Sequence, residues 1–307
     1  MTVPCSRTLP SLERQDGYWV GRFQAMASPC EILIDGVDEP LAHMLTNIAA
    51  KEAWRIEQKF SRYVAGNIID RINRSGGQPV AVDEETARLL DYAEQCFSLS
   101  DGRFDVTSGI LRQAWRFDGS DRLPEAEAVA RLLPRIGWQR VTWQAPWLQM
   151  PEGMELDLGG VGKEYAVDRT LILLQQAIGE TKAPYSLLVN FGGDLVCSGP
   201  RPDGSGWRIG IENARAIAQA ADAIVLKQGA LATSGDSRRF LLRDGVRYSH
   251  ILDPRTGWPV PNAPYSVSVA QPTCTLAGML ATFAMLQGDE AETFLDSQGG
   301  RYWVQRA

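Results

Sequence analysis

The sequence predicts an α+β fold. Helical periodicity dominates the first third of its 307 residues, and strands mix with helices over the rest of the chain. The two kinds of element do not alternate regularly, as they would in a doubly wound parallel sheet. With 307 residues, 44% of them hydrophobic, the chain can bury a sizeable core. We expect a flexible N-terminal tail over residues 1–17, followed by a single domain over residues 18–307.

The first third of the domain is predicted to contain strands followed by helices. Residues 18–35 alternate apolar and polar side chains in two runs, which predicts strands or a hairpin. Apolar side chains then recur at helical spacing over residues 41–60 and again over residues 84–98. Asp83 stands immediately before the second of these helices, where an aspartate side chain can accept hydrogen bonds from the first turn.

The remainder of the domain is predicted to combine short strands with two further long helices. A helix over residues 163–178 follows a glycine-rich turn, and an apolar helix over residues 275–286 is expected to be buried on most sides. A weaker helical pattern over residues 123–138 is broken at Pro134. Strands are expected at residues 141–150, 186–190, 207–211, 223–226, 240–242, 265–270 and 301–305.

Composition excludes several classes of function. The formal net charge is -6 and no basic run stands out, so nucleic acid and anionic membrane surfaces are not expected partners. The five cysteines lie far apart, without a Cys-x-x-Cys pair, which argues against a disulfide framework or a zinc site. No apolar run could span a bilayer, and residues 1–17 lack the apolar centre of a signal peptide. A cytoplasmic protein is therefore expected.

One of the only two histidines lies in the most informative segment, residues 248–257, which reads Tyr-Ser-His-Ile-Leu-Asp-Pro-Arg-Thr-Gly. A histidine changes its protonation near neutral pH, and beside a carboxylate it can be oriented as a general base. The proline and glycine indicate a fixed loop. His250 is therefore a candidate catalytic base, although a histidine packed at a strand end fits the segment equally well. His43 falls within a predicted helix, where a solvated or packed side chain is expected.

A glycine-rich turn precedes the third long helix. Gly159-Gly160-Val161-Gly162 would let a ligand approach the backbone, and the N–H groups of the helix start would favour a phosphate. Lys163 adds a positive charge at the same end. The spacing matches neither the G-x-G-x-x-G fingerprint nor a Walker A sequence, so a plain strand–helix turn is the alternative.

Two more loops place small residues beside useful side chains. Residues 102–109 offer Arg103, Phe104 and Asp105, which could stack a ring and hold hydroxyl groups, or form a self-bonded Asp/Thr turn. Residues 229–236 join an apolar strand end to a polar loop, or simply end a hairpin. Together with the glycine turn and the His250 loop, they suggest one shared cleft for a phosphorylated ligand.

Six motifs occur in order along the chain: Phe60-Ser-Arg-Tyr63, Gly102-Arg-Phe-Asp-Val-Thr107, Asp157-Leu-Gly-Gly-Val-Gly-Lys-Glu-Tyr-Ala-Val-Asp168, Asn190-Phe-Gly-Gly-Asp194, Thr233-Ser-Gly-Asp236 and His250-Ile-Leu-Asp-Pro-Arg-Thr-Gly257. This set resembles the ApbE family, the FAD:protein FMN transferases, over about residues 22–288. The resemblance implies an α+β fold related to the T-fold, with two lobes and FAD in the cleft between them.

The resemblance also implies an activity. Such enzymes bind FAD and Mg²⁺, cleave the pyrophosphate, release AMP and attach FMN through a phosphoester to a threonine or serine of an acceptor flavoprotein. The catalytic histidine falls on His250, which would take the proton of the acceptor hydroxyl. Lys163 is expected to act on the phosphates. The family's flavin contacts fall on Met26, Tyr63, Arg103, Phe104, Asp105, Gly159, Tyr165 and Ile251.

The metal site implied by the resemblance departs from the family pattern. Its ligands fall on the backbone carbonyl of Gly162 and the hydroxyl of Thr282, but the family's aspartate falls on Gly278. Weak Mg²⁺ binding is therefore expected, with a gain on restoring the aspartate. Other carboxylates could complete the site: Glu164, Asp236 or Asp253. Two other functions stay open, namely an FAD-binding module without transfer and a pyrophosphatase that splits FAD into FMN and AMP.

Overall fold

The computed structural model describes residues 9–180, 183–214, 220–236 and 239–306, and these form strands and helices in a mixed order. The strands are β1 (Ser11–Gln15), β2 (Tyr18–Ala25), β3 (Ser28–Asp35), β4 (Val80–Ala81), β5 (Thr142–Gln144), β6 (Trp147–Gln149), β7 (Ser186–Phe191), β8 (Asp194–Cys197), β9 (Trp207–Glu212), β10 (Ala220–Leu226), β11 (Gly229–Gly235), β12 (Phe240–Arg243), β13 (Val246–Ser249), β14 (Leu252–Asp253), β15 (Trp258–Pro259), β16 (Ser266–Gln271) and β17 (Arg301–Gln305). The α-helices are α1 (Glu39–Phe60), α2 (Ile68–Asn73), α3 (Glu84–Leu99), α4 (Ala126–Ala130), α5 (Gly162–Ile178), α6 (Cys274–Leu286) and α7 (Ala291–Gln298).

Eight strands form the central sheet in the order β1-β2-β3-β7-β8-β11-β16-β17, and each neighbouring pair is antiparallel. Side chains alternate between the two faces of each strand. In β7, Leu187, Val189 and Phe191 belong to the apolar core that the helices share, whereas Leu188 belongs to a separate apolar cluster. The middle of the sheet is therefore buried on both faces.

Helices α1, α5 and α6 cover one face of the sheet. The buried stripe of α1 includes Leu45, Ala49 and Ile56, as its helical periodicity predicts. Strand β2 passes so close to α1 that a Cβ at Gly21 would fall 2.4 Å from the hydroxyl oxygen of Thr46. Only glycine allows the helix to approach the sheet this closely.

The hairpin of β9 and β10 lies against the other face of the sheet. Trp207, Ile211 and Ile224 of this hairpin form an apolar cluster with Leu195 and Leu231 of the sheet. None of the helices in the described part of the chain is long and apolar enough to cross a membrane.

A further apolar cluster joins residues 108–136 to residues 240–259, and we call these two segments the side lobe. Trp115 lies at its centre: its indole N–H donates to the carbonyl oxygen of Gly257 at 2.8 Å, and its ring meets that of Trp258 edge to face, with centroids 5.1 Å apart. Leu111 and Leu241 are buried in the same cluster. The side lobe thus brings the segment that carries His250 next to the loop that follows α3.

The structure confirms the predicted fold class and most of the predicted elements. The four long predicted helices are α1, α3, α5 and α6, and their ends agree with the predictions to within about two residues. Asp83 caps α3 by accepting the backbone N–H of Thr86, as predicted. The strands predicted after residue 186 are present as β7, β9, β10, β12, β16 and β17.

Two expectations need correction. Ser11–Gln15 pairs with β2 as an edge strand of the sheet. Residues 11–15, which the sequence assigns to the flexible tail, are therefore part of the domain. Their mostly polar, exposed side chains suit a sheet edge and hide the strand pattern. The helix expected over residues 123–138 shrinks to the five residues of α4 and a short turn at Pro134. The short helices α2 and α7 have no predicted counterpart, because so few turns give no clear period.

An aspartate on one helix caps the N-terminus of another. Asp168 of α5 accepts the backbone N–H groups of Cys274 and Thr275, each at 2.8 Å, and the hydroxyl of Thr275 at 2.6 Å. These N–H groups belong to the first turn of α6 and have no partner within that helix. A carboxylate is also favoured there by the helix dipole. Asp168 therefore holds α6 in place against α5.

Replacing Asp168 with alanine should lower the free energy of unfolding by about 2–4 kcal/mol, because three donors lose a charged acceptor. Urea denaturation followed by circular dichroism measures the loss. Asp38→Ala is the matched control: Asp38 is an exposed cap that accepts one backbone N–H, that of Leu41, so its loss should be about 1 kcal/mol. Equal losses for the two variants would contradict the role of Asp168 in joining the helices.

Candidate functional site

A cleft of about 500 Å³ opens between the side lobe and the helical layer. This volume is typical of pockets that enclose small organic ligands. The cleft brings together segments that are far apart in the sequence: the β2–β3 turn, the residues after α1, the loop after α3, the turn before α5, the His250 segment and α6. The predicted site residues in its wall are Met26, Tyr63, Arg103, Phe104, Asp105, Gly159, His250, Ile251 and Thr282.

The wall of the cleft is cationic, although the chain as a whole is acidic. Among the described residues it carries four arginines, Arg62, Arg103, Arg112 and Arg239, against two aspartates, Asp105 and Asp157. Four aromatic side chains line the same wall: Tyr63, Phe104, Trp115 and Phe117. Such a combination suits a ligand that has both aromatic and anionic parts.

His250 has a defined orientation in the wall of the cleft. Its Nδ1 lies 3.0 Å from the carbonyl oxygen of Arg239. Because a carbonyl oxygen only accepts, Nδ1 carries the proton and donates it, so Nε2 is left unprotonated. Burial, together with the positive charge of Arg239, lowers the pKa of His250 to about 4. The ring is therefore neutral at pH 7 and ready to accept a proton at Nε2.

The glycine turn before α5 is fixed by an ion pair. Arg62 donates to Oδ2 of Asp157 at 2.5 Å, and Oδ1 of Asp157 accepts the backbone N–H of Gly159 at 2.9 Å. The ring of Phe104 packs against this turn, where a Cβ at Gly160 would lie only 3.2 Å from it. Gly159 and Gly160 are exposed, so the backbone of the turn is open to a ligand in the cleft.

Asp105 forms the self-bonded turn that the sequence left as an alternative. Its Oδ1 accepts the backbone N–H and the hydroxyl of Thr107, each at 2.7 Å, and its Oδ2 accepts the backbone N–H of Trp138 at 2.9 Å. Burial raises the pKa of this carboxyl. Both oxygens are engaged within the protein, so Asp105 shapes the loop that presents Arg103 and Phe104.

The β2–β3 turn brings Met26 to the cleft through an unusual backbone. Met26 and Ala27 both have positive φ angles, 51° and 55°. These values form the two-residue hairpin turn that normally carries Asn-Gly, because side chains other than Asn, Asp and Gly are strained in this region. The backbone N–H of Met26 donates to the Glu57 carboxylate of α1 at 2.9 Å, which holds the turn. Strained turns of this kind concentrate at functional sites.

Lys163 and Tyr165 take positions that differ from the other predicted contacts. The Lys163 ammonium lies 2.6 Å from the Asp194 carboxylate, and it borders a second cavity of about 340 Å³. Met26, Tyr63 and Gly159 border both cavities, so the two adjoin. Tyr165 is not among the described residues that line either cavity, and its hydroxyl donates to Glu85 at 2.8 Å.

The two predicted metal ligands lie on neighbouring helices. Gly162 is the first residue of α5, and Thr282 lies in α6 with its hydroxyl oxygen 2.7 Å from that of Ser234 in β11. The family's aspartate position, Gly278, lies one helical turn before Thr282. A Cβ added at Gly278 would fall 2.6 Å from Cγ and 2.9 Å from Oε1 of Glu164. The Glu164 side chain therefore fills the space that a side chain at 278 would need.

The three carboxylates that could replace the family aspartate have different surroundings. Asp236 and Asp253 each hold an arginine: Arg247 donates to Asp236 at 2.6 Å, and Arg255 donates to Asp253 at 2.6 Å. Glu164 is equally buried, yet within the described part of the chain its Oε2 has no hydrogen-bond partner. Burial, with the negative charge of Asp194 added, raises the pKa of the Glu164 carboxyl.

Several residues of the site were not predicted as contacts, and four of them take part in its hydrogen bonds. Arg62 and Asp157 lie within quoted motifs, and Arg239 and Ser234 flank or belong to a small-residue loop. Their roles depend on partners in distant segments, such as Asp157 for Arg62 and Thr282 for Ser234. The only sequence signal was their place in those segments, which does not reveal the partner.

Comparisons with known proteins match both the sequence and the overall fold of this chain. A model described as the ApbE family matches residues 26–303. Proteins named FAD:protein FMN transferase from Vibrio cholerae and Chlamydia pneumoniae are each 32% identical, covering 76% and 78% of this chain and 71% and 79% of their own lengths. The crystal structure of the ApbE protein from Thermotoga maritima superposes with a TM-score of 0.83 at 30% identity over 94% of both chains. The flavin transferase ApbE from Vibrio cholerae gives 0.78 at 26%, covering 96% of this chain and 98% of that one.

Replacing Ala27 with glycine should raise the free energy of unfolding by about 1 kcal/mol, because glycine adopts a positive φ without strain. Urea denaturation measures the change. Ala87→Gly is the control: Ala87 lies within α3, where glycine should lower stability by about 1 kcal/mol. A loss of stability in both variants would show that the Met26–Ala27 turn is not strained.

Proposed function

Because the chain belongs to the ApbE family, we propose that it is an FAD:protein FMN transferase. It moves FMN from FAD to the hydroxyl of a threonine or serine in an acceptor flavoprotein and releases AMP. The observation that carries this proposal is the neutral His250, which lines a cationic, aromatic cleft and has an unprotonated Nε2.

The cleft and the cavity beside it suit the shape of FAD. FAD carries two aromatic groups joined by a pyrophosphate, and the two cavities adjoin at Met26, Tyr63 and Gly159. Aromatic side chains such as Phe104 offer stacking surfaces, while the arginines and the exposed glycine turn favour the phosphates. Gly159 lies at this junction, which supports placing the pyrophosphate there.

The chemistry is a displacement at phosphorus. The acceptor hydroxyl oxygen attacks the phosphorus of the FMN half, a new P–O bond forms, and the P–O bond to AMP breaks. Nε2 of His250 takes the proton of the hydroxyl as it attacks, and Nδ1 keeps its own proton on the Arg239 carbonyl. Arg239, next to His250, contributes positive charge where negative charge develops on the phosphoryl oxygens. AMP departs as the leaving group.

We also propose a Mg²⁺ ion at the pyrophosphate. The described part of the chain groups no three His, Cys, Asp or Glu side chains as a metal site. The proposed ion would be held by mixed oxygen ligands together with the substrate phosphates. The Gly162 carbonyl and the Thr282 hydroxyl are the proposed protein ligands. The buried Oε2 of Glu164, which has no hydrogen-bond partner among the residues that the structure describes, fits a nearby cation. Bound there, the ion would neutralise charge on the pyrophosphate oxygens.

The acceptor and the compartment complete the proposal. We propose that the partner is a flavoprotein that presents a threonine or serine hydroxyl, and that the enzyme acts in the cytoplasm. The four cysteines that the structure describes, Cys30, Cys96, Cys197 and Cys274, are buried free thiols, which supports a reducing compartment.

The transfer is tested by incubating the protein with FAD, MgCl₂ and candidate acceptor flavoproteins, and by measuring the intact mass of each acceptor. The expected result is a gain of one FMN on an acceptor, with AMP released in equal amount. His250→Asn should slow the transfer by about 10²–10⁴-fold while FAD affinity changes less than about threefold. His43→Asn is the control, because His43 is exposed on α1 and should leave transfer unchanged. AMP release without modified acceptor would instead indicate a pyrophosphatase, and FAD binding alone a carrier.

The rate should resist acid more than an ordinary histidine base allows. A base works only when neutral, and the lowered pKa keeps His250 neutral down to about 4. We therefore expect kcat/KM for FMN transfer to be level from pH 7 to about 5 and to fall as pH drops through about 4. Arg239→Gln removes a positive charge and should move this acid limb to higher pH. A limb near the usual histidine pKa of about 6.5 in the unmodified protein would contradict the assigned state of His250.

A further inference from the structure

Glu164 is a buried acid whose place in the fold is otherwise unexplained. It lies in the first turn of α5, two residues after Gly162, and only 9% of the residue is exposed. Its Oε2 has no hydrogen-bond partner among the described residues. Leaving a carboxylate oxygen buried without a partner is unfavourable unless a ligand or ion supplies one.

The side chain of Glu164 is directed at one particular point on α6. The position of a Cβ at Gly278 lies 2.6 Å from Cγ, 3.1 Å from Cδ and 2.9 Å from Oε1 of Glu164. The Glu164 carboxyl group thus lies beside the point from which the carboxyl group of an aspartate at 278 would project. Thr282 is four residues later on the same helix, so it shares this face of α6.

The other acids near this point already have cationic or hydrogen-bond partners. Asp194 is paired with Lys163 at 2.6 Å, and Asp168 accepts three hydrogen bonds from the start of α6. Asp236, another acid considered for the metal, is held by Arg247. Among these described carboxylates, Glu164 is the one with an oxygen still available.

We propose that Glu164 is a ligand of the divalent cation, so that the metal-binding carboxylate of this protein is on α5 instead of α6. The inference rests on the proposed function, because the pyrophosphate of FAD supplies the remaining ligands. It replaces the expectation of weak metal binding: the carboxylate is relocated, and Gly278 is the residue that makes room for it. An aspartate at 278 beside Glu164 would clash with it and place two carboxylates at one point.

The test measures metal binding directly with Mn²⁺, which electron paramagnetic resonance detects in its free form. The FAD-loaded protein is titrated with MnCl₂ alone, and FAD affinity is measured separately in EDTA. Glu164→Gln should weaken Mn²⁺ binding at least about tenfold, which is roughly 1.4 kcal/mol. Its FAD affinity in EDTA should change less than about threefold. Asp236→Asn is the control, and its Mn²⁺ affinity should equal that of the unmodified protein.

A paired substitution tests the relocation itself. Gly278→Asp alone should weaken Mn²⁺ binding, because the new side chain meets Glu164. Combining Glu164→Gly with Gly278→Asp moves the carboxylate from α5 to α6 and should restore Mn²⁺ affinity to within about threefold of the unmodified protein. This double variant also decides the matter if Glu164→Gln fails to fold.

Three results would overturn the inference. Unchanged Mn²⁺ affinity in Glu164→Gln would make Glu164 a buried neutral acid. A folded double variant that does not recover Mn²⁺ affinity would show that the two positions are not equivalent. Stronger binding in Gly278→Asp alone would show that a carboxylate is missing. The proposed function is tested separately, and it is contradicted if no acceptor gains FMN. If the protein transfers FMN but Glu164→Gln keeps its Mn²⁺ affinity, only the relocation of the carboxylate is contradicted.

Discussion

The ion pair between Lys163 and Asp194 is the contact on which the architecture of the site depends. Lys163 follows the glycine turn by one residue, and Asp194 begins β8 in the middle of the sheet. Asp194 is 2% exposed, and its second oxygen accepts the backbone N–H of Thr233 in β11 at 3.0 Å. One buried carboxylate therefore ties the start of α5 to two strands. Because an uncompensated buried charge is strongly unfavourable, neither partner can leave, and the glycine turn is fixed at the cleft.

Helix α5 connects this anchor to the rest of the site through two further acids. Glu164 and Asp168 lie one turn apart on the helix and both face α6. Asp168 caps the first turn of α6 and so fixes the position of α6 along α5. Gly278 allows the two helices to approach closely at Glu164. The hydroxyl of Thr282 is placed by the same packing. The spacing of α5 and α6 is thus set by one capping carboxylate and one absent side chain.

The other side of the cleft works by a different principle. His250 lies in the side lobe, where Trp115 and Gly257 hold its segment through the indole hydrogen bond. The Arg239 carbonyl selects the tautomer of the ring, and burial keeps the ring neutral. The proposed base therefore has its orientation and its neutral form before any ligand arrives, as a preorganised site requires. The cationic wall, which includes Arg62 and Arg103, would attract an anionic ligand to this side of the cleft.

The sequence by itself determined the α+β class, the four long helices, the N-cap Asp83 and the segments that meet at the site. These depend on local periods and short motifs, which a single strand or helix carries within itself. It also shows that position 278 holds a glycine and position 164 a glutamate.

The sequence did not determine what each polar group of the site contacts. Asp105 could contact a ligand or close a turn, and only its bonds to Thr107 and Trp138 decide for the turn. Glu164 could begin a helix or approach a metal, and only the packing of α5 on α6 brings it against Gly278. The protonation of His250 likewise follows from burial and from the Arg239 carbonyl. Hydrogen bonds and ion pairs connect residues that are distant in the chain, and burial depends on how distant segments pack. Only the tertiary structure therefore shows what each of these polar groups does.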